Sequence, residues 1–364
     1  MHSASIRHLQ HHARLRPLTG SLSLCRREYH VAFFGSDTFS VRVLSHLLSS
    51  ANASLPIDSL TLVTPPSKPR GRGLQVTHGP LAQFATDRCL PLIHAPPKSL
   101  KGWSPPLQLD KCDLAVVVSF PYFLPRALLD RFSSGAVNLH PSLLPKYRGA
   151  APIQYAIING DQVTGVSVID LDPKRFDSGA VLAQNRVEVP RPNEIQFHEL
   201  ADLLADRGAE AIAGVLRDYE QCRANAATQD ESLVTHARKI TSADAHIPTW
   251  SSVNARLLWN KWRAFGHQAP LHTTFRGVPL QLVTLGPPVD VSTKSGDKVH
   301  GLAGTIVQVD KSDGSVLVRA GVADELVRIK EIKPANKKVM SAAAFVNGVG
   351  GVKAVAAGQL VLGE

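Results

Sequence analysis

The sequence predicts an α/β protein, with an open, mostly parallel twisted sheet in its first part and a second, small β-barrel in its last. Three observations predict it. Short apolar strands alternate with helical patterns through the first two hundred or so positions, which is the signature of a sheet flanked by helices. The run Leu114-Ala-Val-Val-Val-Ser119, apolar up to its final serine, lies between Asp113 and Pro121, as expected of a strand buried on both faces of a parallel sheet. After position 232 the pattern changes to short alternating strands separated by Gly, Pro and Asp. A chain of 364 residues also exceeds what one hydrophobic core usually organises, so two domains are expected.

The elements follow in order. His30 to Gly35 reads as a strand, and Val41, Val43, Leu44 and Leu47 give the next segment a helical stripe. Ser59 to Val63 is a second strand, ending at a Pro-rich loop, and a helix carrying Leu81, Phe84 and Ala85 follows. After the run at 114–119, a strand from Gly135 to Leu139 leads into His140-Pro141. Gly165 to Leu171 and Ala180 to Val189 are strand-like, and a long helical pattern runs from about Glu194 to Tyr219. Periodicity weakens from Gln221 to Ser232, where a linker is expected between a first domain over 30–220 and a second over 233–364. The second domain opens with a helix around Val253 to Phe265, its apolar face formed by Leu257, Leu258, Trp262 and Phe265. Strands are expected at Val278 to Val283, Ala303 to Val309, Ser315 to Ala320 and Glu325 to Ile332.

Charge is unevenly placed. Of the net +10, residues 1–30 carry +4 and residues 231–364 carry +6, leaving the middle neutral. The first acidic residue is Glu28, preceded by Arg7, Arg14, Arg16, Arg26 and Arg27 among Ser, His and Leu. That composition predicts a mitochondrial transit peptide over residues 1–29 and hence a place in the mitochondrial matrix. A basic terminal domain offers an electrostatic footprint to a nucleic acid, and equally a solubilising surface. No run of eighteen apolar residues occurs, so no membrane-spanning helix is expected. Cys25, Cys89, Cys112 and Cys222 have no paired spacing and read as reduced thiols rather than a zinc site or a disulfide framework. Phe34-Gly35-Ser36-Asp37 lacks the glycine triplet of a dinucleotide fingerprint, so NAD is not implied.

The informative segment is Asn138-Leu139-His140-Pro141-Ser142-Leu143-Leu144-Pro145, leading to Arg148-Gly149-Ala150-Ala151-Pro152. Side chains alternate along a strand, so Asn138 and His140 share one face at its end. An amide and an imidazole converging there suit a carbonyl oxygen that becomes an oxyanion during acyl transfer. Asp177, in the turn Phe176-Asp177-Ser178-Gly179, is the candidate to pair with His140 and to assist proton transfer. On the residues alone the bland readings remain: a strand-end Asn capping a turn, a hydrogen-bonded His, and an ordinary Asp-Ser-Gly turn.

The string Asn-Leu-His-Pro-Ser-Leu-Leu-Pro with Arg-Gly-Ala-Ala-Pro-Ile-Gln resembles the signature of the folate-dependent formyltransferases. The resemblance implies a Rossmann-like formyltransferase domain with Asn138, His140 and Asp177 as the catalytic trio. It implies 10-formyltetrahydrofolate as co-substrate, no metal, and a folate pocket lined by Ser142, Leu143, Leu144 and Pro145 and by Phe120, Tyr122, Leu124 and Pro125 of the loop after the buried strand. The loop Pro65-Pro66-Ser67-Lys68-Pro69-Arg70-Gly71-Arg72-Gly73 is similar to the basic insertion that the branch acting on methionyl-tRNA uses on the acceptor stem, with Arg72 at its key position. Ala237-Arg238-Lys239-Ile240, Arg263-Ala264-Phe265 and Lys337-Lys338-Val339-Met340-Ser341 resemble that branch's C-terminal, oligonucleotide-binding-type barrel. The resemblance therefore implies initiator methionyl-tRNA as partner, with Lys68, Arg70, Arg72, Arg263, Lys337 and Lys338 as contacts. A monomer is expected. The alternatives are a formyltransferase acting on a small amine, or a non-catalytic tRNA-binding relative. One departure stands out: Asp172-Pro-Lys-Arg-Phe-Asp177 is one residue longer than the family's turn, which is able to shift the carboxylate.

Overall fold

The computed structural model describes residues 27–49, 54–70, 75–290, 301–322 and 325–363. Residues 1–26 of the expected import segment, Cys25 among them, lie outside these.

In the first domain β1 (Tyr29–Gly35) and β2 (Ile57–Thr64) precede a short hairpin of β3 (Lys68–Arg70) and β4 (Gln75–Thr77). They are followed by β5 (Leu92–His94), β6 (Leu114–Val118), β7 (Gly135–His140), β8 (Val163–Asp170) and β9 (Val181–Glu188). Without the hairpin these strands form one sheet in the order β5-β2-β1-β6-β7-β8-β9. From β5 to β7 neighbours are parallel; β8 is antiparallel to β7, and β9 to β8. The helices are α1 (Thr38–Leu47), α2 (Pro80–Asp87), α3 (Arg126–Leu129), α4 (Pro152–Ile158), α5 (Phe197–Arg217) and α6 (Tyr219–Ala224).

Every residue of β6 is buried, as its unbroken apolar run requires. Alternation sends Val116 and Val118 to the core shared with α1 and α5, while Ala115 and Val117 join a smaller core with Phe34, Leu124 and Phe132. Burying each such Val or Leu contributes about 1.5–3 kcal/mol, so β6 anchors both faces. The longest helix among the described residues is α5: Leu200, Leu204, Ile212 and Leu216 recur at helical spacing and are buried, and Gln196 with Glu199 closes a capping box at its start. Gly208 lets this helix reach the sheet, because a Cβ there would lie 2.5 Å from Leu139 Cδ2. The close approach fixes β7 at Leu139, between Asn138 and His140.

The second domain carries α7 (Ser242–Ala245), α8 (Ala255–Phe265), α9 (Ala342–Gly348) and α10 (Gly351–Ala356). Its strands are β10 (Leu271–Phe275), β11 (Val278–Asp290), β12 (Ile306–Val309), β13 (Val316–Arg319), β14 (Glu325–Pro334) and β15 (Met340–Ser341). They form an antiparallel sheet in the order β10-β11-β14-β13-β12, with β15 added to β14. Register shifts along β11 bend it, as bulges do in strongly curved small sheets.

The expected α8 stripe is only partly right. Leu258 and Phe265 are buried, but Leu257 is 43% exposed, and Trp259, Asn260 and Arg263 point inward instead. The helix packs on α4 and α5 of the first domain as well as on its own sheet, so polar residues on its inner side meet main-chain carbonyls there. Among the described residues no helix is long and apolar enough to cross a membrane. Cys89, Cys112 and Cys222 are free thiols, and Cys112 is buried.

Candidate active site

The strand order reverses direction between β1 and β6, and in open α/β sheets ligands bind beyond the carboxyl ends at such a switch point. Ser36, just after β1, donates its hydroxyl to the Ser119 carbonyl at 2.6 Å and ties the two strand ends together. The next strand outward from β6 is β7, which delivers Asn138 and His140.

Asn138 lies opposite Val117 of β6 and Ile169 of β8, and His140 opposite Ser167. Period-two alternation puts both on the face opposite Val137 and Leu139, as expected. His140 is 4% exposed. Its Nε2 lies 2.8 Å from the Tyr147 carbonyl oxygen. A carbonyl only accepts, so Nε2 carries a hydrogen and Nδ1 is the nitrogen left for chemistry. Nδ1 faces Asp177 Oδ1 at 3.5 Å. Asp177 Oδ2 accepts from the Gly149 N–H at 2.9 Å, so the carboxylate is held from two sides.

The extra residue before Asp177 is absorbed locally. The Asp172 carboxylate accepts from the Lys174 and Arg175 N–H groups and from the Ser178 hydroxyl, closing the turn on itself. Desolvation is the largest single influence and acts to raise the Asp172 carboxyl, but these hydrogen bonds and the Arg175 charge together hold it below the usual carboxylate range. Gly179 is obligatory: a Cβ there would lie 1.7 Å from the Asp170 carbonyl oxygen, where the chain returns into β9. Asp177 itself adopts φ of 55°, in the left-handed region that is uncommon for residues other than glycine, though Asp enters it more readily than most.

Hydrogen bonds from β8 and β9 hold the loop after β7. The Ser167 hydroxyl donates to the Ser142 carbonyl at 2.7 Å and accepts from the Leu144 N–H at 3.0 Å. Gln184 donates to the Leu144 carbonyl, and the Leu144–Pro145 peptide is cis. Tyr147, whose carbonyl fixes His140, is anchored through its hydroxyl by Asp161 at 2.9 Å and Asn159 at 2.7 Å. Burial is the largest influence on the Tyr147 phenol and pushes it above its ordinary value.

Several expected ligand contacts need correction. Ser142 is 1% exposed and spends its hydroxyl on the Lys146 carbonyl, so it holds the loop instead of lining a pocket. Leu144 and Leu124, 5% and 4% exposed, are core residues behind the wall. Arg263 is 2% exposed, with Nη1 donating to the Ile195 carbonyl and Nη2 to Asn260 Oδ1; a guanidinium so enclosed cannot reach a phosphate. Phe120, Tyr122, Leu143, Pro125 and Pro145 keep partial exposure. Phe120 packs edge-on against Phe34 and Tyr122, and Pro125 starts α3. Sequence reasoning missed the contact of Phe123 with Phe176, which joins the loop after β6 to the turn bearing Asp177 at a ring separation of 5.1 Å. The basic loop is a hairpin with Lys68 and Arg70 on β3, and Arg72 lies outside the described residues. Lys337 and Lys338 are exposed in the turn between β14 and β15. No group of three His, Cys, Asp or Glu side chains that could hold a metal occurs among the described residues.

Comparison with known proteins matches both parts of the chain. Residues 29–216 match the formyl transferase family and residues 239–350 the formyl transferase C-terminal domain. The chain is 34% identical to the methionyl-tRNA formyltransferase of Bdellovibrio bacteriovorus, over 87% of this chain and 95% of that one. It is 31% identical to the mitochondrial methionyl-tRNA formyltransferase of Bos taurus, over 88% of this chain and 77% of that one. Among solved structures, an N-formyltransferase of Helicobacter canadensis, in complex with folinic acid and dTDP-3-aminofucose, shares the fold. Its TM-score is 0.53 at 14% identity, covering 83% of this chain and 98% of that one. HypX of Aquifex aeolicus, in complex with tetrahydrofolic acid, has a TM-score of 0.55 at 13% identity, over 88% of this chain and 47% of that one. With matches along both domains and relatives at this identity, the chain is an enzyme of the formyl transferase family.

Proposed function

We propose that this enzyme transfers the formyl group of 10-formyltetrahydrofolate to the α-amino group of initiator methionyl-tRNA, and that it does so in mitochondria. The observation that carries the reaction is the meeting of His140 Nδ1 with the Asp177 carboxylate at the strand end that also presents Asn138. Support for the acceptor comes from relatives that are methionyl-tRNA formyltransferases along both domains, and from the +6 balance of residues 231–364. A folate donor fits neighbours of the same fold solved with tetrahydrofolic acid and folinic acid. The mitochondrial reading rests on the acid-free, Arg-containing residues 1–27 and on the mitochondrial bovine relative.

In this reading the amine nitrogen forms a bond to the formyl carbon, and the bond from that carbon to N10 of the folate breaks. Asn138 donates its amide hydrogen to the oxygen on which negative charge develops. His140 Nδ1 accepts the proton released by the amine and returns it to the departing nitrogen. While Nδ1 holds that proton, Asp177 balances the imidazolium charge, and the Tyr147 carbonyl keeps the ring from turning. Exposed Lys337 and Lys338, with Lys68, Arg70 and Arg72, are assigned to the tRNA backbone. Phe120, Tyr122, Pro125, Leu143 and Pro145 are assigned to the folate.

The test is a formylation assay with the full-length protein and formyl-labelled 10-formyltetrahydrofolate. Label is expected in methionyl-tRNA, and neither in uncharged tRNA nor in free methionine. Formylation of a small free amine at a rate equal to that of the charged tRNA would defeat the proposal.

A further inference from the structure

The stretch that reads in sequence as a linker, 221–232, is built into the site. Residues 221–224 continue α6, and Ala227 then exchanges both main-chain hydrogen bonds with Val181 at 2.8 and 2.9 Å. Farther on, the Arg148 N–H donates to the Thr235 carbonyl at 2.9 Å, and the Ala237 N–H to the Arg148 carbonyl at 2.8 Å. Between these anchor points stands Gln229, 7% exposed.

All the hydrogen-bonding capacity of the Gln229 amide is used. Its Nε2 donates to the carbonyls of Asp177 at 2.9 Å and Gly179 at 2.8 Å, gripping the turn on both sides of Ser178. Its Oε1 accepts from Arg148 Nε at 3.0 Å and Nη2 at 2.8 Å. Arg148 also pairs with Glu231 of the same segment at 3.1 Å. Its chain neighbour Gly149 supplies the N–H that holds Asp177 Oδ2. One buried amide thus ties together the backbone on which Asp177 stands and the loop that holds its side chain. Asp177 stands at positive φ, and Gln229 adds two hydrogen bonds to the main chain around it, beside the Gly149 N–H and the turn closed by Asp172.

We propose that Gln229 is a positioning residue for formyl transfer: it holds Asp177 against His140 and makes the interdomain segment a structural part of the catalytic site. The inference rests on the role given to Asp177 above. Gln229 acts through Asp177 and touches no substrate.

The experiment uses full-length Gln229→Leu and Gln229→Glu. Leucine removes all four hydrogen bonds at similar volume; glutamate keeps an acceptor for Arg148 and loses both donors to the turn. In both, kcat is expected to fall about tenfold to a hundredfold, while KM for methionyl-tRNA and for the formyl donor stays within about twofold. Hydrogen exchange at the Gly149 amide, measured without substrates, is expected to quicken at least about tenfold, with Val116 and Val117 of β6 unchanged. Wild-type kcat and Gly149 exchange in a folded variant would overturn the proposal. So would a fall in kcat without quicker Gly149 exchange, or quickening that extends to β6, since that reports general loosening. Because the exchange needs no turnover, quicker Gly149 exchange in a chain whose wild type fails to formylate methionyl-tRNA would support the grip and sink only the proposed function.

Discussion

Replacing Arg263 by methionine separates a clamp between domains from a contact with nucleic acid. Arg263 is 2% exposed, donates to the Ile195 carbonyl at 2.7 Å and to Asn260 Oδ1 at 2.6 Å, and leaves its Nε without a partner among the described residues. Methionine fills most of the same volume but strands two buried acceptors, at about 1–3 kcal/mol each. Against that, the buried cation carries its own penalty. Desolvation above all lowers the guanidinium to about 10, well below its value in solvent, equivalent to about 3 kcal/mol that methionine relieves. The net expectation is a loss of about 1 kcal/mol, with about 3 kcal/mol as a ceiling. Urea unfolding of the full chain reads this directly, and Tm should drop by about 1–4 °C. The second readout is the dependence of tRNA affinity on salt. An enclosed guanidinium neutralises no phosphate, so the slope of log K against log salt should not change. A slope reduced by about 0.9, with stability unaltered, would refute the clamp and restore Arg263 as a phosphate contact.

The exposed pair makes the opposite forecast: Lys337→Ala combined with Lys338→Ala should lower that salt slope by about 1.8 and leave kcat near wild type, as filter binding and steady-state assays would show. Gly179→Ala places a methyl where the Asp170 carbonyl lies, so the turn must open; formylation per folded molecule should drop at least about a hundredfold, which a rate assay on Tm-matched protein checks. Asp206 accepts two hydrogen bonds from Arg42, at 2.8 and 2.7 Å, and these hold its carboxyl below the ordinary 3.8. Its stabilisation is present above that unfolded value and lost as pH falls through the lower folded one. With both side chains a third or more exposed, Asp206→Asn should cost less than about 1 kcal/mol at neutral pH, a gap that closes in denaturant titrations as pH falls through the lowered folded-state value.

Much of the site could be read from local pattern, and what could not depends on long-range contacts. Asn138 and His140 share a face because strands alternate, and β6 declared its double burial by an unbroken apolar run. The antiparallel turn-back of β8 and β9 was not legible, since a strand's composition does not specify its direction. β5, three residues long, and the β3–β4 hairpin fall below the length at which periodicity carries a signal. Arg263 and Gln229 were misplaced or overlooked because a polar residue ordinarily signals solvent. Here each is buried against main-chain carbonyls contributed by segments at least fifty positions away in the chain. The longer turn before Asp177 looked like a displacement, yet the Asp172 carboxylate closes it locally.

The central claim is that the end of β7 stabilises a developing oxyanion, and single-turnover formylation by Asn138→Ala tests it most directly. With methionyl-tRNA and formyl donor saturating, and with unfolding unchanged from wild type, the rate should fall about a hundredfold or more, equivalent to about 3–4 kcal/mol. A rate within about threefold of wild type would mean that the amide at 138 does no chemistry and that the site has been assigned to the wrong groups.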